Sequence, residues 1–206
     1  SFLVPEISYN LAISTVPALL AISSAGLVFN VIKEIKTRFW VGTIAALFSC
    51  FLSNTYSVLA WLSENLISSK NFWSYICIEG LKKSEFSESL VWYPTQFWWW
   101  FNSTRIINFF GANCDKNGSD YTITETPFFS YLLGDLHPHV MGAPFVIAFI
   151  TICLLLTKIN ISKINIRSVS LITFTTLLLT ISNFINMWNT PILISILFMS
   201  FIVRKI

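Results

Sequence analysis

Charge is what this sequence has least of. Of its 206 residues only 11% are Asp, Glu, Lys or Arg, whereas 54% are hydrophobic, and the mean hydropathy is +0.68. A soluble domain carries about 25% charged residues, because a water-facing surface needs them. Most of this surface therefore faces something other than water, and a bilayer is the economical answer. The net charge is only +3 and the basic residues are scattered, which gives no support for a nucleic-acid partner. Cysteine is sparse as well: four residues, with no C-x-x-C or other metal spacing. Cys50 and Cys153 fall inside apolar runs, where a thiol acts as a small hydrophobe. Cys77 and Cys114 share one polar loop and could pair if that loop faces an oxidising compartment. The opening "SFLVPEISYN" has no initiator methionine and no basic n-region, so it does not read as a signal peptide. Together with the unfinished "SFIVRKI" it reads as the middle of a longer chain. There is no internal repeat and no low-complexity tract.

What the sequence does have is long apolar runs. A transmembrane helix needs about 20 mostly apolar residues. The expected spans are residues 11–32, 39–62, 140–156, 168–187 and 190–203. The second is polar at "SNTYS", and the last two come from one charge-free run divided at "NMWNTP", whose asparagines and proline favour a turn. Lys33, Lys36 and Arg38 follow the first span, Lys158, Lys163 and Arg167 the third, and Arg204 and Lys205 the fifth. With five spans these clusters fall on one side, which the positive-inside rule makes cytoplasmic. The loop 63–139, with eight acidic and five basic residues, then lies outside together with "NMWNTP". The fold class is an all-α membrane protein, a single polytopic domain of about five helices with interfacial or re-entrant helices in its outer loop. "VWYPTQFWWWFNSTRII" places four tryptophans in that loop; an interfacial helix, a re-entrant lid or a plain aromatic belt would each have this composition.

The candidates for chemistry lie in "ITETPFFSYLLGDLHPHV". Thr126 and Pro127 suit a helix start, with a capping hydroxyl and proline in the first turn. That helix would end at Gly134. Asp135, His137 and His139 then recur at alternate positions, and Pro138 biases His137 away from helical geometry. In an extended segment alternate side chains share a face, so the three could converge. Three readings stay open: a divalent metal site on Asp135, His137 and His139, acid–base or phosphate-binding work, or a polar cap anchoring the third span. Glu125, Arg105, Asn186, Trp188 and Asn189 fall on the same expected side, Arg105 as a phosphate clamp.

"FWWWFNSTRII", "ITETPFFSYLLGDLHPHVMGAPF" and "NMWNTP" resemble, in this order, motifs of the YYY family of multi-pass prokaryotic membrane proteins, a domain of unknown function. "YNLAISTVPALLAISSAGLV" is similar to the stretch preceding them in that family. The family is in turn similar in hydropathy and layout to GT-C glycosyltransferases, which take a sugar from a polyprenyl-phosphate donor at the outer membrane face. The resemblance implies a fragment of a larger GT-C-like bundle in a prokaryotic plasma membrane, with loop 63–139 extracytoplasmic. Its partners would be membrane lipid and a polyprenyl-phosphate sugar. It carries over Arg105, Glu125, Asp135, His137, His139, Asn186 and Trp188: Asp135 or Glu125 as base, the others as substrate-binding groups, with a divalent metal as the conceivable cofactor. Asn189 departs from the family pattern, which has aspartate there. GT-C enzymes also keep an acidic residue in a first outer loop, which would precede this chain. The alternative is a transporter or scaffold without chemistry, and the charge-free spans argue against an ion pathway.

Overall fold

In a computed structural model of the chain, residues 4–52, 55–65, 67–76, 78, 81, 92–93, 98–104, 108–109, 120–121, 123–158 and 165–205 are described. The protein is an all-α membrane protein. Its helices in chain order are α1 (Pro5–Val31), α2 (Ile35–Phe51), α3 (Tyr56–Glu64), α4 (Lys70–Tyr75), α5 (Trp99–Asn102), α6 (Pro127–Leu133), α7 (Pro138–Lys158), α8 (Ile166–Ile185) and α9 (Asn189–Lys205). A two-residue antiparallel pair joins Asn108–Phe109 to Asp120–Tyr121. The chain divides into two compact units, Ser1–Leu52 with Leu133–Ile206, and Ser53–Leu132.

Three helices are long and apolar enough to cross a membrane, α1, α7 and most of α8, or four if α2 and α3 form one broken span. At about 1.5 Å per residue α7 is roughly 31 Å long, matching a hydrocarbon core of about 30 Å. Within the expected second span, 39–62, α2 ends at Phe51 and α3 begins at Tyr56. The charge-free run from Ser168 to Val203 is also two helices, and its break falls at Asn186–Trp188. α9, with 17 residues, is shorter than an ordinary span.

In the first unit α7 is central: it packs against α1 on one side and against α8 and α9 on the other, while α2 lies on α1. Phe149, Cys153 and Leu193 are buried between α7 and α9, with Leu178 and Leu179 of α8 against them. The outward faces keep large apolar side chains exposed, among them Ile22, Phe48, Phe174 and Phe198, which suits lipid contact. Polar hydroxyls are tolerated because they bond back to their own helix. Thr43, Thr151, Thr175, Thr176 and Thr180 each donate to the carbonyl four residues earlier, so these five hydroxyl protons have acceptors within their own helices.

The helix directions follow from four contacts. Tyr9, early in α1, donates its hydroxyl to the Gly134 carbonyl just ahead of α7 (2.7 Å). At the far ends Lys158 Nζ donates to the Asn30 carbonyl (3.0 Å), so α1 and α7 run parallel. Asn189, which opens α9, has its amide nitrogen 3.0 Å from where a Cβ on Gly142 would stand. Arg204, near the end of α9, lines a cavity with Leu156 of α7, so α9 runs parallel to them, and α8 returns. Gly142 thus permits the close approach of α9 to α7. Gly142→Leu is expected to destabilise the protein by about 1–3 kcal/mol through overpacking, read as a lower midpoint of thermal unfolding in detergent. Gly26→Leu is the control, because nothing lies within 4 Å of a Cβ placed there, and its midpoint should hardly move.

The second unit has its own core: Tyr56, Ala60, Trp73 and Leu81 are buried, with Trp99 packed against them. Trp100 stacks obliquely on Phe129 (centroids 5.9 Å apart). Two of the clustered tryptophans are therefore packing residues of this unit, while Trp92 and Trp98 remain exposed. The Cys77–Cys114 pair lies outside the described residues.

Candidate functional site

The segment between α6 and α7 is built by three local devices. Thr126 caps α6, its hydroxyl facing the Phe129 N–H at 3.5 Å, and Pro127 fills the first turn, where its missing N–H costs nothing. Gly134 ends the helix with φ +66°, a left-handed conformation that glycine adopts without the steric cost a Cβ brings. Residues 135–137 then run without regular structure until Pro138 opens α7. The His137 carbonyl accepts the first bonds of α7, from the Val140 and Met141 N–H groups, both at 3.0 Å.

Within this segment Asp135 and His137 meet. The carboxylate Oδ2 is 2.8 Å from His137 Nδ1, with both side chains a little under half exposed. A half-exposed pair of this kind adds little to stability, but it puts a carboxylate charge beside the imidazole. His139 does not continue the alternation. It is the second residue of α7, and its ring centroid stands 5.6 Å from that of His137 at a tilt of 48°. The extended stretch ends at Pro138, the residue that starts the helix. Asp135 and His137 also offer ligand atoms close enough to share one metal ion. If a metal is held, Asp135 and His137 would each supply one ligand atom.

The turn "NMWNTP" lies at the same end of the helices. Asn186 Oδ1 accepts from the Trp188 N–H at 3.2 Å, and the Asn186 carbonyl accepts from the Asn189 N–H at 3.0 Å. Thr190 Oγ1 donates to Asn183 Oδ1 at 2.8 Å. The Asn189 amide approaches Gly142, which is one turn along α7 from His139. Trp188 is 79% exposed, so its indole is available at this surface rather than used in packing.

The electrostatics of this end differ from those of the other. α1, α7 and α9 all present their N-termini here, and each brings a partial positive charge with unsatisfied N–H groups. The opposite end gathers Lys33, Lys36, Arg38, Lys158 and Arg204, with Glu34 the one carboxylate among its described residues. A family model described as "Uncharacterized membrane protein (DUF2298)" matches residues 1–206, the whole chain. The chain belongs to this family. No curated protein and no solved structure matches it. Membership of DUF2298 agrees with the expected multi-pass membrane family of unknown function.

Of the expected site residues, the structure of this DUF2298 chain brings together Asp135 and His137, sets His139 beside them on α7, and places Asn186, Trp188 and Asn189 in the turn at the same end. Glu125 belongs to the second unit, next to Thr124, whose N–H bonds the Thr104 carbonyl at 2.9 Å. Arg105 lies outside the described residues. Tyr9 and Gly142 were not among the candidates. Their roles rest on partners 125 residues away in the first case and 47 in the second, and no local pattern marks them.

Proposed function

We propose that this chain is part of a GT-C-type transferase that moves a sugar from a polyprenyl-phosphate donor to an acceptor hydroxyl at the extracytoplasmic membrane surface. The observation that carries the reading is the Asp135–His137 pair (2.8 Å), located where three helix N-termini converge and at the end opposite the lysines and arginines. The positive-inside rule puts the basic end in the cytoplasm, so this pair faces the side where a lipid-linked sugar donor would be used.

In the proposed reaction the acceptor hydroxyl gives its proton to His137 Nε2, and Asp135 steadies the imidazolium that forms. The acceptor oxygen bonds to the anomeric carbon, and the bond from that carbon to the phosphate oxygen breaks. Its electron pair leaves with the polyprenyl phosphate. The converging helix N-termini favour that anion, and Trp188 offers an aromatic face to the sugar. The resemblance adds Arg105 as a phosphate clamp and Glu125 as another base on sequence grounds. A divalent metal, if bound, would supply Lewis-acid stabilisation of the leaving phosphate.

The direct test uses purified full-length protein. Titration with a polyprenyl phosphate should raise the thermal unfolding midpoint, by about 2.7 kcal/mol of added stability at a concentration 100 times Kd, whereas the unphosphorylated polyprenol should not. Elemental analysis of the same sample reads any bound metal. No shift with any lipid phosphate, together with no metal, would sink the transferase reading and leave a scaffold.

A further inference from the structure

At the basic end of the first unit, a cavity of about 300 Å³ opens between α7, α8 and α9. This is the lower end of the roughly 300–1,000 Å³ typical of small-molecule sites. Leu156, Ile172, Leu197 and Phe201 supply apolar walls. Thr175 and Thr176 also line it, but their hydroxyls are spent on the Leu171 and Ile172 carbonyls at 2.7 and 3.0 Å, which leaves little polarity for the interior. The charged group of the lining is Arg204, in the last turn of α9. No carboxylate among the described residues pairs with it.

An apolar slot ending in one cation, on a bundle that exposes apolar side chains to lipid, has the chemistry of an amphiphile with an anionic head. We propose that this cavity holds an anionic phospholipid, its acyl chain along Leu156, Ile172, Leu197 and Phe201 and its phosphate on the Arg204 guanidinium. Two features select a phospholipid over another occupant. Lys33, Lys36, Arg38 and Lys158 share this end, and a basic end sits at the leaflet whose surface is negative. A guanidinium also presents parallel N–H donors that match two phosphate oxygens. The site is separate from the Asp135–His137 pair, at the other end of α7, and does not depend on the transferase reading.

Native mass spectrometry of the full-length protein, after exchange with phosphatidylglycerol or phosphatidylcholine of identical acyl chains, decides the matter. The expected result is one retained phosphatidylglycerol, favoured about fivefold or more over phosphatidylcholine, the effect of one basic residue at an anionic surface. Arg204→Gln should bring phosphatidylglycerol down to the phosphatidylcholine level, and Thr176→Phe, which fills the slot, should lower retention of both. Equal retention of the two lipids by the wild type would overturn the proposal, and so would an unchanged preference in Arg204→Gln. A slot covered by a protein segment would retain neither lipid, which overturns it equally. Should either variant fail to fold, the comparison of lipids on the wild type still decides.

Discussion

His137→Ala in the full-length protein should lower sugar transfer by about 10²- to 10⁴-fold, the range for loss of a positioned general base. The loss should fall on kcat, with KM for the lipid donor little changed, because the ring acts on a proton that moves only in the transition state. Asp135→Asn should follow in the same direction: the amide can still face Nδ1 at the observed 2.8 Å, but it cannot stabilise an imidazolium. His139→Ala should cost less than about tenfold, since its ring is carried by the first turn of α7, whereas the Asp135 carboxylate stands against His137. This ordering separates the oriented-imidazole reading from a three-ligand metal site, in which all three substitutions would release metal and fail together. The measurement is transfer from a labelled polyprenyl-phosphate sugar in proteoliposomes. Full activity in both His137→Ala and Asp135→Ala would remove the pair from the chemistry.

Much of the architecture was legible because a bilayer enforces simple rules. Charge is expelled from the spans, so the three basic clusters and the apolar runs between them could be located without tertiary knowledge. Local chemistry was legible too. Thr126, Pro127 and Gly134 bound a short helix because capping, a missing N–H and a left-handed φ are properties of single residues. The misjudged feature was His139. Pro138 biases the residue before it away from helix, which made the alternation look extended. Proline is equally suited to open a helix, and here it does, so the alternation stops at His137. The contacts of Tyr9 and Gly142 were not legible because they join distant segments, and a single sequence carries no record of such pairing. Within the expected second span, composition alone did not mark Tyr56 and Ala60 as core residues of the second unit.

The same contacts make Gly134 the residue whose replacement should be felt furthest from its own position. A Cβ at Gly134 would meet the Ile13 side chain at 3.5 Å, an ordinary contact, so space does not forbid a larger residue. The backbone does: φ is +66°, where an L-residue costs about 1–2 kcal/mol, most for a β-branched one and least for asparagine. Gly134→Val should therefore lower the unfolding free energy by about 2 kcal/mol and Gly134→Asn by under half of that. Tyr9→Phe removes the hydroxyl that donates to the Gly134 carbonyl at 2.7 Å, a bond worth about 1 kcal/mol net. Because both changes act on one turn, their effects should not add, and a double-mutant cycle should give a coupling of at least about 0.5 kcal/mol. If the turn also aims Asp135 and His137, Gly134→Val should lower transfer by about 10²-fold, the cost of misplacing a catalytic group by roughly 1 Å. Gly134→Asn should keep most of the activity. Equal activity in the valine and asparagine variants would show that the left-handed turn serves the fold alone.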